Sequence, residues 1–177
     1  MIHKLLVTLT AVIQGRQCYN FYPSSDGCNP NVYRVLDDSR RNVQYSLGSQ
    51  EEPLCDDLLP PGWYRFMENG ASRVMSSTCP GQHVCGTESP VWLDPTSLVN
   101  MTSTVSSTNM MTGSVCVSWS WPGMSDCCLY TLPVTLRQCD GFWTYYLQPT
   151  QACNVAYCMD TGNVGKSGNI SLGPGYL

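Results

Sequence analysis

Eleven cysteines in 177 residues, two of them adjacent at Cys127–Cys128, restrict this chain more than any other feature. Reducing compartments keep thiols reduced, so this much cysteine implies a disulfide framework assembled in an oxidising one. A metal–thiolate protein is the competing explanation, but zinc wants short C-x-x-C spacings, often mixed with histidine. The close spacings here are Cys79–Cys85, Cys127–Cys128 and Cys153–Cys158, and none has that form. A bond between Cys127 and Cys128 would close a strained small ring. Spacing alone does not choose between that ring and two separate partners.

The N-terminus fits the same compartment. "MIHKLLVTLTAVIQGRQC" opens with a short basic stretch (His3, Lys4) and runs apolar from Leu5 to Ile13, and Gly15 offers a small residue for cleavage. That run is too short for a bilayer span and has the proportions of a signal-peptide core. A buried N-terminal strand is the alternative. No other segment has the length and apolarity of a membrane span, and the glycine-rich C-terminus does not match a lipid-anchor signal. The net charge of −4, with no run of Lys and Arg, argues against nucleic acid or an anionic membrane as partner.

Hydrophobic periodicity points to a mainly-β domain with one short helix near its N-terminus. Asn29 can cap a helix and Pro30 fits its first turn, with Val32, Val35, Leu36 and Ser39 on one helical face. Val43, Tyr45 and Leu47 alternate with polar residues as in a strand. "WYRFM", "SVCVSWSW", "LPVTLRQC", "GFWTYYLQP" and "NVAYC" read as further strands, with a turn at Asp140–Gly141. The uncharged, Ser/Thr-rich stretch from Val99 to Ser114 reads as an exposed, glycosylated loop, with a polar edge strand as the alternative.

Catalytic chemistry finds little support. Apart from His3, the only histidine is His83, and no partner motif surrounds it. A CC pair also occurs in secreted phospholipases A2, where a catalytic His-Asp follows within a few residues; here Leu129, Tyr130 and Thr131 follow. The doublets Asp37–Asp38, Glu51–Glu52 and Asp56–Asp57 match no calcium-loop pattern and read as solvated charge. No catalytic, cofactor-binding or metal site is expected, and no cofactor. Asn100 and Asn169 head N-glycosylation sequons. The aromatics of "SWSW" and "GFWTYYL" fit a buried core face, or else a lectin-like platform.

Several motifs occur together in order. "GWYRF" (Gly62–Phe66) is followed by Gly70 and Met75, Cys79 and Cys85, and "P-x-W-L" (Pro90, Trp92, Leu93). Cys116, the Cys127–Cys128–Leu129 pair, Cys139 and "C-x-x-A-Y-C" (Cys153, Ala156, Tyr157, Cys158) complete the series. This order resembles the cysteine-rich (eight- or ten-cysteine) domain of the uromodulin / zymogen-granule glycoprotein 2 / oncoprotein-induced transcript 3 family, over about Cys28 to Cys158. The resemblance implies an extracellular, non-catalytic, β-rich domain with five disulfides: Cys28–Cys139, Cys55–Cys153, Cys79–Cys127, Cys85–Cys158 and Cys116–Cys128. Ten cysteines allow about 945 pairings, so spacing alone could not choose this set.

The expected organisation is a signal peptide (1–17), an N-terminal segment (18–27), the cysteine-rich domain (28–158) and a flexible tail (159–177). Cys18 is left over and available for a disulfide-linked dimer. The expected function is that of a secreted recognition module for an extracellular protein or glycan, with no nucleic acid partner and no membrane span. The alternative is a glycan-presenting decoy or mucus-type glycoprotein that captures microbial lectins, since relatives in this family present N-glycans to a mannose-specific fimbrial adhesin. Two of the family's glycan positions differ here. The acceptor after "P-x-W-L" is replaced by Asp94-Pro95-Thr96, and "YYLQPT" before Cys153 holds no Asn. The family's polymerising module and epidermal-growth-factor-like repeats have no counterpart in the sequence, so filament formation is not expected.

Overall fold

Among the described residues ten strands form where the sequence finds partners. They are β1 (Arg34–Leu36), β2 (Gly62–Glu68), β3 (Ala71–Ser72), β4 (Val74–Met75), β5 (Ser89–Asn100), β6 (Met110–Trp121), β7 (Met124–Gln138), β8 (Trp143–Leu147), β9 (Val155–Tyr157) and β10 (Met159–Asp160). The computed structural model describes residues 26–100 and 109–161, and the signal segment, Cys18 and Asn169 lie outside them. Eight strands make one sheet in the order β1-β2-β8-β7-β6-β5-β9, with β3 beside β2, and β10 pairs separately with β4. The fold is therefore mainly β and small.

The sheet centre is a meander, β5–β6–β7–β8, in which each strand pairs antiparallel with the next. Its inner face is built by period-two alternation. Val115 and Val117 on β6 and Leu132, Val134 and Leu136 on β7 are buried, as are Val91 and Leu93 on β5. Tyr64, Phe66, Tyr145 and Tyr157 close the core from the neighbouring strands. Burying a side chain of this size contributes about 1.5–3 kcal/mol, so this face dominates the favourable side of folding. Pro133 has no N–H to donate, and it is tolerated because β7 pairs there with β6 alone; pairing with β8 begins at Thr135.

The helix expected after Asn29 does not form. Asn29 does act as a cap: its Oδ1 accepts the Asn31 N–H at 2.9 Å, and its carbonyl accepts the N–H groups of Val32 and Tyr33. That makes one turn and no more, because Arg34–Leu36 instead pairs in parallel with Tyr64–Phe66. Val35, placed on the apolar helix face by its spacing, is 52% exposed. The only segment assigned as helix among the described residues is a 3-10 turn at Ser39–Arg41, capped by Asp38.

Val43, Tyr45 and Leu47 are half-buried and Gln44 and Ser46 exposed, as alternation requires. Among the described residues, however, no strand pairs along this segment, and only isolated bridges join Asn42 to Met159 and Ser46 to Val84. The Ser/Thr-rich stretch contributes strand at both ends, where Val99 pairs with Thr112 and Asn100 with Met111. Its middle, 101–108, lies outside the described residues. The fold also continues past Cys158, for Met159 is fully buried and pairs with Met75, so the stretch read as a tail begins inside the fold.

Candidate functional site

The adjacent cysteines sit where the β6–β7 ladder changes register. Between the pairs Val117↔Tyr130 and Trp119↔Asp126, β6 advances two residues and β7 four. This bulge lets neighbouring side chains leave the strand in different directions. Cys127 is bonded to Cys79, and Cys128 to Cys116 on the facing strand. The backbone of the bulge is held as well. Trp92 Nε1 donates to the Cys127 carbonyl at 2.8 Å, and Ser118 Oγ donates to it at 3.3 Å. The Cys128 N–H donates to Asp126 Oδ1 at 2.8 Å.

Beyond the bulge the hairpin extends past the core to a two-residue turn at Pro122–Gly123, where Gly123 has φ 86°. Proline followed by a glycine of positive φ is the chemistry of a type II turn. This outer half and the bulge present large apolar side chains: Trp121 is 44% exposed and Met124 61%, and Leu129, within the bulge, 39%. The Trp119 and Trp121 rings lie 6.3 Å apart at 51°. The two readings of the aromatics thus divide between segments. Trp143 and Tyr145 of "GFWTYYL" are buried, whereas "SWSW" runs from half-buried Trp119 to exposed Trp121. The Pro-Gly pair is the sequence signal for this hairpin, and a strand reading that begins at Leu132 passes over it.

The remaining bonds in the structure are Cys28–Cys139, Cys55–Cys153 and Cys85–Cys158. The structure thus brings together the same five pairs that the resemblance implies, at Cα separations of 4.7 to 5.8 Å. Asn100 closes β5, and the rest of its sequon lies outside the described residues. His83 is exposed on a turn with φ 56°. Cys55, Asp57 and Cys153 bring ligand-type atoms together, but both sulfurs are committed to one disulfide.

The paired acids are not simply solvated. Asp56 is 3% exposed and takes both terminal nitrogens of Arg41 at 2.7 Å, and its Oδ2 also accepts the Tyr157 N–H at 2.9 Å. Its backbone N–H donates to the Val155 carbonyl, and Arg41 also donates to the carbonyl of Tyr157. These groups occupy the outer edge of β9, which would otherwise stand open. Asp38 caps the 3-10 turn and is ion-paired with Arg40 at 2.8 Å. Partial burial works against its ionisation, but hydrogen bonds from Arg40 outweigh that and hold the carboxyl below its ordinary range. Glu51 is likewise held low, first by the Tyr45 hydroxyl at 2.6 Å and then by the Gly48 N–H.

Comparison with known proteins agrees with this architecture. The family model of the uromodulin-like cysteine-rich domain matches residues 64–159. The human pancreatic secretory granule membrane major glycoprotein GP2 is 35% identical over 127 residues, covering 71% of this chain and 21% of that protein. Rat uromodulin is 34% identical over 140 residues, 78% of this chain and 19% of its own. The chain therefore spans about a fifth of the length of these curated relatives.

Proposed function

This chain belongs to the uromodulin-like cysteine-rich domain family, and on that premise we propose that it is a secreted, non-catalytic recognition module. It binds an extracellular protein or glycan through the outer half of the β6–β7 hairpin. The observation that carries the reading is the exposure of Trp121, Met124 and Leu129 on a ribbon tied down by two disulfides. Large apolar groups on a pre-organised support bind at low entropic cost, and aromatic residues dominate interface energetics. Among the described residues no helix is long and apolar enough to cross a membrane. The test is binding of the secreted protein to arrays of glycans and of extracellular protein domains. Any ligand found should lose at least about tenfold in affinity with Trp121→Ala, as expected for a central aromatic anchor. Full binding by the Trp121→Ala, Met124→Ala double variant would contradict the assignment.

A second reading rests on Asn100, which closes the 12-residue strand β5 opposite Met111 of β6 and heads a sequon. A glycan there would make the module a decoy for microbial lectins. Capture by a mannose-specific adhesin should then disappear in Asn100→Gln; unchanged capture would exclude that glycan as the bait. The leftover Cys18 supports a disulfide-linked dimer, which Cys18→Ser should convert to monomer on a non-reducing gel.

A further inference from the structure

We propose that the Cys79–Cys127 bond is a thiol-exchange site, at which a small external thiol forms a mixed disulfide with Cys127 and releases Cys79. Exchange requires access to the sulfur and a stable leaving thiolate. Both conditions single out this bond. Cys79 and Cys127 are both exposed, whereas Cys85, Cys158 and Cys116 are buried and Cys28 and Cys139 half-buried. The nearest competitor is Cys55–Cys153, in which Cys153 is exposed. Attack on Cys153 would expel a thiolate at Cys55, where Asp57 Oδ1 lies 3.0 Å from the sulfur. A carboxylate at that distance disfavours a second negative charge and makes Cys55 a poor leaving group.

The surroundings of Cys79–Cys127 also set the direction of attack. Asp126 adjoins Cys127 in the chain, so a thiolate on Cys127 would form next to an acidic residue, whereas Cys79 stands between Thr78 and Pro80. The Ser118 hydroxyl, which donates to the Cys127 carbonyl while the bond is intact, lies 4.0 Å from Cys79 Sγ and can turn its one proton to a thiolate there. The incoming thiolate therefore bonds to Cys127 Sγ as the Cys79–Cys127 bond breaks. The electron pair leaves on Cys79, which then takes a proton from water. One external thiol is oxidised into the mixed disulfide as one protein sulfur is reduced to a thiol. The Cys116–Cys128 bond stays intact, so the bulge holds while the turn segment carrying Cys79 is released from the hairpin.

The test uses the full secreted protein, its disulfides mapped first without reductant and then followed over time in reduced glutathione under non-denaturing conditions. Free thiols are trapped by alkylation and assigned by peptide mass spectrometry. Cys79 should become alkylated and Cys127 glutathionylated at least about tenfold faster than any other pair reacts, since reactivity follows access and leaving-group stability. Ser118→Ala should slow release of Cys79 by about fivefold, the worth of one hydrogen bond. The proposal is overturned if Cys55–Cys153 opens first, if all five bonds open together, or if glutathione lands on Cys79. An unchanged rate in Ser118→Ala would overturn the role given to that hydroxyl.

Discussion

On folding, Asp56 gives up its water and receives three donors in return, two from Arg41 and one from Tyr157. Such a pair adds modest net stability, but removing one partner strands the other charge. Asp56→Ala should therefore cost about 3–5 kcal/mol in chemical denaturation. Arg41→Met combined with Asp56→Leu should cost much less than the two single changes summed; additive losses would show that the two groups are not coupled. Gly27 matters for another reason: a Cβ there would lie 2.6 Å from the Trp63 ring, so the chain before Cys28 rests directly on that indole. Gly27→Ala should lower stability by about 1–3 kcal/mol, the usual cost of overpacking, read from the denaturation midpoint. Neither role was legible in the sequence. Asp56 stands in an Asp-Asp doublet like two other acidic pairs, and only the return of β9 past residue 155 makes it interior.

At the scale of elements, alternation identified β6. Aromatic and β-branched composition, together with the predominant period of two, identified β2, β8, β9 and the inner half of β7, because those segments pack against a shared core. Alternation also reported correctly which of residues 43–47 face inward, yet a strand needs a neighbour as well as a face. The helix reading at residues 29–39 failed for the same reason in reverse. The cap at Asn29 was real, but parallel pairing of Arg34–Leu36 with β2 outweighed local propensity in so short a segment. Of the candidate site, the cysteines were legible and the exposed hairpin was not. Trp121 continues the buried alternation of Val115 and Val117 and leaves the core only because the strand outruns it. Trp121→Ala should change stability by no more than about 0.5 kcal/mol, as for a surface position. A loss of several kcal/mol in a thermal or denaturant melt would mean that the residue supports the fold.

The whole molecule couples its core to pH through buried tyrosines. Burial pushes Tyr145 well above the ordinary tyrosine value of 10.0, although the Met75 N–H donated to its oxygen acts the other way. Burial likewise raises Tyr157, whose hydroxyl donates to the Gln148 carbonyl at 2.7 Å. A group whose folded pKa is raised contributes stability that is fully present below its unfolded pKa and is lost as pH rises beyond it. Alkaline unfolding should therefore begin above about pH 10, and in a rapid absorbance titration these tyrosines should ionise only as tertiary structure is lost. The depressed carboxyls of Asp38 and Glu51 act at the other end, and their small contribution fades as pH falls below the ordinary carboxylate range.

Among the described residues five disulfides tie these elements together, four of them between distant parts of the chain, and the fold depends on their pairing, above all on two neighbouring sulfurs serving different partners. Each such bond stabilises by about 2–4 kcal/mol, chiefly by constraining the unfolded chain. The direct measurement is non-reducing peptide mapping of the secreted protein by mass spectrometry, with a protease that cleaves on both sides of the hairpin. The predicted result is a linked cluster in which fragmentation assigns Cys127 to Cys79 and Cys128 to Cys116, with the other six cysteines paired as in the structure. A bond between Cys127 and Cys128 themselves, or free thiols at most of the ten positions, would contradict it.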